Sequence, residues 1–407
     1  MKEYKTYKLG DVVNILDNKR VPLSSMQRQQ RKGIYPYYGA QGVIDYIDDY
    51  LFDGEFLLIA EDGENLKSKK QNIAQIAKGK YWVNNHAHIV ESNGLCDIQY
   101  VCYLLNLMDL SGYITGSAQP KLNQENLHKI EIRLPLLEKQ HRIAQFLNRF
   151  DSKIELNRRI NDNLEQQAQA LFKAWFVDFE PFKDGEFVDD DFGRRPYGWN
   201  VKPLKYLVEK VKSGDWGKDE QMGNHTMRTF CMRGADFPDI KEGSKGKMPI
   251  RYILEKNFRE KSLCDGNVVV EISGGSPTQS TGRIVLIDKT FIADCDNALI
   301  CTNFCKSLEI KESFSLFFYL LWQYLYDKKV MFIYENGSNG LKNLNINSLL
   351  ERELFVIPPK EIISRFNLVV SLLLSKKQAN GIEISRLASL RDTLLPKLMS
   401  GNMSFDY

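Results

Sequence analysis

Residues 134–182 read LPLLEKQHRIAQFLNRFDSKIELNRRINDNLEQQAQALFKAWFVDFEPF, and the spacing of their apolar and amide side chains decides the architecture. Ile143, Leu147, Phe150, Ile154, Asn157, Asn161, Leu164, Ala168, Leu171 and Trp175 follow one another by alternating steps of four and three. That spacing keeps one face of a long helix against a partner helix, as in a coiled coil. Pro135 suits the first turn, where a missing N–H is harmless, and Glu138 favours the positive helix end. Pro181 is read as the stop.

Working outward, a similar seam recurs 223 residues later: Phe366, Val370, Leu373, Lys377, Asn380, Ile384, Leu387, Arg391 and Leu394. Pro358 and Pro359 open this second helix, Glu361 supplies its acidic first turn, and Pro396 is read as its stop. Lys377 and Arg391 are poor seam residues, and Gly381 costs about 1 kcal/mol against Ala in a helix interior. The second seam is therefore the weaker. The expected coiled-coil contacts are Ile143, Leu147, Phe150, Ile154, Asn157, Leu164 and Leu171 with Phe366, Val370, Leu373, Asn380, Ile384, Leu387 and Leu394.

The duplication extends beyond the helices. Leu9, Val12 and Val13 in YKLGDVV correspond to Leu204, Leu207 and Val208 in KPLKYLV. GSAQPKLNQENL (116–127) corresponds to GSNGLKNLNINSL (337–349), and each half closes on an apolar segment ending in proline, KIEIRLP and RELFVIPP. The organisation expected is α+β: a mixed α/β domain over 1–135, a long helix over 136–180, a linker over 181–199, a second domain over 200–357 and a second long helix over 358–407. The linker mixes Gly, Pro and acidic residues, so it is expected to be flexible. Two domain-plus-helix units are expected to pack about a pseudo-two-fold axis with their helices antiparallel. Residues 138–175 would give a rod of roughly 57 Å at 1.5 Å per residue. Such a molecule suits two separated DNA half-sites, and because its domains differ outside the shared motifs, the half-sites should be unrelated.

With 407 residues, 43% hydrophobic and 26% charged, the chain is long enough for two or three soluble domains, and its net charge of +3 requires any nucleic-acid surface to be a local patch. Seven cysteines without a CxxC pair, and a charged start (MKEYKTYKLG), give the expectation of a reducing, cytoplasmic setting. The most apolar stretch, 314–325, is far short of the ~20 residues that span a bilayer and is read as a buried helix.

In order and motif, the chain closely resembles the specificity (S) subunit of type I restriction-modification enzymes. The most specific parts are QHRIAQFL with its helix, the FKAWFVDFEPF exit, the GSAQPKLN loop and LASLRDTLLPKLMSG. The resemblance implies two target-recognition domains, each reading one half of a bipartite double-stranded DNA target, spaced by an antiparallel coiled coil. It also implies a pair of methyltransferase (M) subunits and motor-nuclease (R) subunits as partners. S-adenosylmethionine, ATP and Mg would then belong to those partners, with no cofactor and no catalytic residue in this chain.

DNA is held through phosphates and read through base edges, so loops carrying Arg, Lys, Asn, Gln, Ser and Gly are the candidates. SGGSPTQSTGR (273–283) offers Ser276, Thr278, Gln279 and Arg283; the alternative is an ordinary hairpin loop between the strands VVVEI and RIVLI. The recurring loops offer Ser117, Gln119 and Lys121, and Ser338, Asn339 and Lys342. In the first domain Lys19, Arg20, Arg28, Arg31, Lys69 and, in YYGAQG, Gln41 are further candidates, against the reading that charge runs are solvated faces and Tyr37 or Tyr38 is core. His86 and His88 have no third ligand nearby in sequence, and Cys295, Cys301 and Cys305 lack zinc-site spacing, so no metal is assigned. An enzyme reading lacks GxxxxGK[ST], HExxH and the Asn/Asp-Pro-Pro-aromatic pattern. A coiled-coil scaffold without DNA readout is the remaining alternative.

Overall fold

The computed structural model describes residues 4–116, 119–276, 279–338, 341–401 and 403. It divides into two compact units, Met1–Ser152 with Ala388–Tyr407, and Lys153–Leu387.

The first unit runs β1 (Lys5–Lys8), α1 (Leu9–Val12), β2 (Val13–Ile15), α2 (Ser25–Gln30), β3 (Lys32–Gly39), β4 (Gly42–Ile47), β5 (Phe52–Ala60), α3 (Asn65–Ser68), β6 (Ala74–Val83), β7 (Ala87–Ser92), α4 (Ile98–Leu107), α5 (Gln124–Lys129), β8 (Glu131–Leu134) and the first part of α6 (Leu137–Phe176). Six strands form one sheet in the order β2-β7-β5-β6-β3-β4, and β1 pairs with β8. The run LLIA in β5 and AHIV in β7 are buried because these strands lie inside the sheet with apolar neighbours on both faces. The α4 helix starts where the Asp97 carboxylate accepts from the N–H groups of Gln99 and Tyr100, both at 2.8 Å, and it buries Tyr100, Val101, Leu104 and Leu105. Ile143, Ala144 and Leu147 of α6 join the same core, as do Leu398 and Met399 from the chain's last helix.

The second unit continues with β9 (Phe187–Asp190), β10 (Gly193–Pro196), β11 (Asn200–Pro203), β12 (Val208–Ser213), β13 (His225–Met232), α7 (Phe237–Lys241), β14 (Ile250–Leu254), α8 (Glu255–Lys261), β15 (Val268–Glu271), β16 (Ser273–Gly274), β17 (Ile284–Leu286), α9 (Lys289–Asp294), β18 (Leu299–Cys301), β19 (Cys305–Ile310), α10 (Ser315–Asp327), β20 (Glu335–Ser338), β21 (Leu341–Leu344), α11 (Ile346–Arg352), β22 (Leu354–Ile357) and α12 (Lys360–Met399). Its sheets are β12-β19-β15-β17, β14-β13-β18 and β16-β21-β20, with β11-β22 and β10-β9 as two-stranded pairs. The apolar stretch 314–325 supplies most of α10, whose residues 317–323 and Leu325 are buried, with the Trp322 indole donating to Gly282 O at 2.7 Å. No helix among the described residues is long and apolar enough to cross a membrane.

The long helices pack antiparallel within each unit. In the second unit Asn161 bonds Asn380 at 3.0 Å, Asn157 bonds Glu383 at 2.9 Å and Glu165 pairs with Lys377 at 2.6 Å, so partners descend on α12 as they ascend on α6. In the first unit Arg391 pairs with Asp151 at 2.5 Å. The seam residues Ile143, Leu147, Ile154, Asn157, Phe366, Val370, Asn380 and Ile384 are buried, while Phe150, Leu164, Leu171, Leu373, Leu387 and Leu394 are half-buried.

The three weak points of the second seam have physical explanations. Lys377 and Arg391 each meet a carboxylate of α6. Gly381 lies under the backbone of the loop after α7: a Cβ there would stand 2.0 Å from Glu242 O. The glycine is required by that close approach.

Two expectations are corrected. Pro396 does not stop the helix; α12 continues to Met399, because burial of Leu398 and Met399 in the first core offsets the hydrogen bond that proline removes. The linker is folded: α6 ends at Phe176, and β9 and β10 form a hairpin beside Trp199, which packs against Phe176, Phe179 and Phe182 with ring centroids 6.0, 5.6 and 5.0 Å away. Its aromatic side chains, diluted among charges in the sequence, supply the core that its composition hid.

The duplication holds at the level of individual strand pairs. Lys5 faces Leu134 and Lys8 faces Glu131; Asn200 faces Ile357 and Pro203 faces Leu354, the same pairs displaced by 195 and 223 residues. Leu9 N–H donates to Ile130 O and Leu204 N–H to Glu353 O. Asn123 and Asn345 cap the equivalent short helices α5 and α11 through their side chains.

Candidate nucleic-acid interface

In the first unit, four segments distant in sequence meet at the end of β5. His88, fully buried, directs Nδ1 to Asp17 at 2.6 Å and Nε2 to Leu122 O at 2.7 Å. Arg20 reaches Glu61 at 2.8 Å, Asp17 at 3.3 Å and Ala87 O at 2.8 Å, and Lys121 meets Glu61 at 3.1 Å. Burial raises the Asp17 carboxyl, but the hydrogen bond and charge of His88, the Ile89 N–H and Arg20 outweigh it and hold it below the usual range. Glu61 is likewise lowered against its burial by Arg20, His88 and Lys121. The network fixes Pro120 to Leu122, since Leu122 N–H also donates to Glu61 O and Gly63 N–H to Pro120 O.

The second unit repeats this device with other residues. Arg283 clasps Glu271 through two bonds of 2.7 Å and donates to Gly234 O at 2.9 Å. Lys342 pairs with Glu335 at 3.0 Å, and Thr281 donates to the same carboxylate. The segment 273–283 and the second glycine-serine loop thereby join: Ser273 faces Asn343 and Gly274 faces Lys342. Ser276 N–H donates to Gln279 O at 2.7 Å. β15 and β17, on either side of the segment, form an antiparallel pair, and Ser273 and Gly274 have strand partners of their own.

The remaining residues lie as follows. Arg28 and Arg31 sit at the β3–β4 end of the first sheet, paired with Asp45 at 3.2 Å and Asp48 at 2.9 Å, and stacked near the rings of Tyr37 and Trp82. Tyr37 is core. Lys69 is tied to Met108 O and Asp109, away from the Arg20 network's partners. Lys19, Gln41, Gln119 and Gln279 are exposed. Ser338 belongs to β20; Ser117, Thr278 and Asn339 lie outside the described residues.

Folding brings Asp17 and Glu61 to His88, with ligand atoms within 4.8 Å of one another. Arg20 already supplies the countercharge, and both ring nitrogens face oxygen acceptors, so the group reads as an ion-pair network. His86 meets Asp62 at 2.7 Å. Cys295, Cys301 and Cys305 are buried thiols whose ionisation burial pushes up.

Sequence reading missed the anionic half of both networks, Asp17, Glu61, Glu271 and Glu335. A signal existed: LLIAE and VVVE each end an apolar strand on a carboxylate, which must find a cation when buried. It also missed Gln140, buried at the start of α6, which donates to Pro135 O and accepts from Asp97 N–H.

The family model for the type I restriction modification DNA specificity domain matches residues 1–166. The MjaIX type I restriction enzyme specificity subunit of Methanocaldococcus jannaschii is 29% identical over 81% of this chain and 74% of its own length. The HindI type I restriction enzyme specificity subunit of Haemophilus influenzae is 24% identical over 70% and 71%. In fold, the chain is similar to the crystal structure of the type I restriction-modification S subunit from M. genitalium, with TM-score 0.60 and 15% identity over 97% of this chain and 96% of that one. Family model and relatives agree that the chain is similar in sequence to type I restriction-modification DNA specificity subunits, and its fold is similar to that of the M. genitalium S subunit.

Proposed function

We propose that this chain reads a bipartite, asymmetric DNA target, one half-site per target-recognition domain, and directs adenine methylation or restriction carried out by partner subunits. The observation that carries this reading is the duplicated framework, matched strand pair for strand pair, bearing unlike loops at its rims. A repeated scaffold with divergent loops is what two readers of different sequences require. Arg20, Lys121, Arg283 and Lys342 are each committed to a carboxylate. Their work is to stiffen the loops from which Gln119 and Gln279 reach base edges, while Gln41 does so from the β3–β4 turn; amide side chains pair with adenine. Lys19 is free to approach phosphate.

The chain itself performs no catalysis in this proposal. A pair of M subunits supplies methyl transfer from S-adenosylmethionine, and R subunits supply ATP- and Mg-dependent translocation and cleavage, all in the cytoplasm. Methylome sequencing of a host expressing the chain with its methyltransferase partner tests the proposal: one interrupted motif with two unlike halves is expected. Replacing residues 1–135 by the counterpart from a relative should change one half only. Absence of a bipartite motif, or change in both halves, overturns it.

A further inference from the structure

The 195-residue offset that superposes Leu9, Val12 and Val13 on Leu204, Leu207 and Val208 also superposes Val21 on Trp216. Both are apolar, both follow the strand β2 or β12, and both are exposed, at 45% and 40%. Each is also held by its own backbone carbonyl. Val21 O accepts from the indole of Trp82, 5% exposed, at 2.6 Å; Trp216 O accepts from Nε of Arg251, 4% exposed, at 2.8 Å.

The surrounding loops are fixed with unusual investment. Next to Val21, Arg20 carries its several bonds and Leu23 N–H donates to the Tyr37 hydroxyl at 2.9 Å. Around Trp216, Asp215 N–H donates to Cys301 O, Asn257 donates to the Asp215 carboxylate at 2.6 Å, and Lys218 exchanges both backbone bonds with Tyr252. Gly217, at φ +59°, has no room for a side chain, since a Cβ would stand 2.3 Å from Tyr252 O. The Arg251 guanidinium lies 4.1 Å from the Trp216 ring centroid, covering one side of it. Buried polar groups are thus spent on fixing the backbone that carries an exposed apolar side chain, the arrangement expected of a preorganised contact residue.

We propose that Val21 and Trp216 are equivalent specificity-determining residues, each making an apolar contact to a thymine methyl in its own half-site. The chemistry selects the ligand: among the base edges of the major groove, the thymine C5-methyl is the apolar one. Valine meets it by van der Waals contact and the indole by its face. That the two positions differ in size fits two different half-sites. The inference rests on the DNA-reading function above.

The test uses the chain assembled with its methyltransferase partner and duplexes carrying the methylated motif, with each thymine replaced singly by deoxyuridine, which lacks only the methyl. The wild-type complex should lose about fourfold in affinity at one position in each half-site, the transfer free energy of one methyl-sized group. Trp216→Ala should abolish that sensitivity in one half-site and Val21→Ala in the other. The dependence of binding on salt should stay unchanged, because no phosphate contact is removed. Trp216→Phe, which keeps a ring on Arg251, should retain sensitivity, and thermal melting of each variant confirms that it is folded. Variants that keep full uracil sensitivity, or a wild-type scan without a sensitive thymine, overturn the inference while leaving specific DNA binding intact. Sequence-independent binding by the wild-type complex overturns the DNA-reading function and this inference with it.

Discussion

Gly381→Ala sets helix propensity directly against packing. In an isolated helix the change stabilises by about 1 kcal/mol. In α12 the new methyl would stand 2.0 Å from Glu242 O and 2.4 Å from Gly243 Cα, both backbone atoms with no rotamer to change. Relief requires the loop after α7 to move by more than an ångström, which lengthens the 3.4 Å bond from Asn161 to Glu242 O. Overpacking of this kind costs about 1–3 kcal/mol, and rigid backbone neighbours place it at the upper end. Set against the propensity gain, the net is a loss of about 2 kcal/mol, or a Tm lowered by roughly 4–8 °C for a unit of this size. Differential scanning calorimetry of the full chain measures it. An unchanged or raised Tm would show that the loop yields freely, and that Gly381 is the weak point its sequence suggests.

Asn161→Leu leaves the Asn380 amide buried without its acceptor and should cost about 1–3 kcal/mol, whereas Asn161→Leu with Asn380→Leu should recover most of the loss. Additive effects in that double-mutant cycle, followed by urea unfolding, would sink the pairing. For Asp17 and Glu61 the folded carboxyls lie below their unfolded values, so their contribution is present above about pH 4 and is lost as pH falls through the lowered folded values. Acid unfolding of the first unit should therefore be shallower in Asp17→Asn than in wild type; an identical acid slope contradicts the assignment.

The helices and the duplication were legible because heptad spacing and repeated loops are local patterns that survive divergence. Their polar complement was not. Lys377 looked like a flaw because its partner Glu165 stands 212 residues away, and no spacing rule connects them. The folded hairpin after α6 was hidden by composition, since Gly and Asp mark turns as readily as they mark linkers. The cations chosen at the loops pair with Glu61, Glu271 and Glu335, and that pairing depends on strand order that one sequence does not reveal. Val21 and Trp216 went unnoticed because a single apolar side chain in a loop carries no periodic signal.

The burial of Leu398 and Met399 in the first core bears on how the protein is made. A ribosome delivers residues 1–152 early, but the α6 face carrying Ile143, Ala144 and Leu147 stays uncovered until nearly 250 further residues have emerged. The first unit is therefore completed last. Truncation or premature release after the second domain would leave a nascent chain with an open apolar face at its N-terminal half, a target for chaperones and proteases before it ever meets DNA.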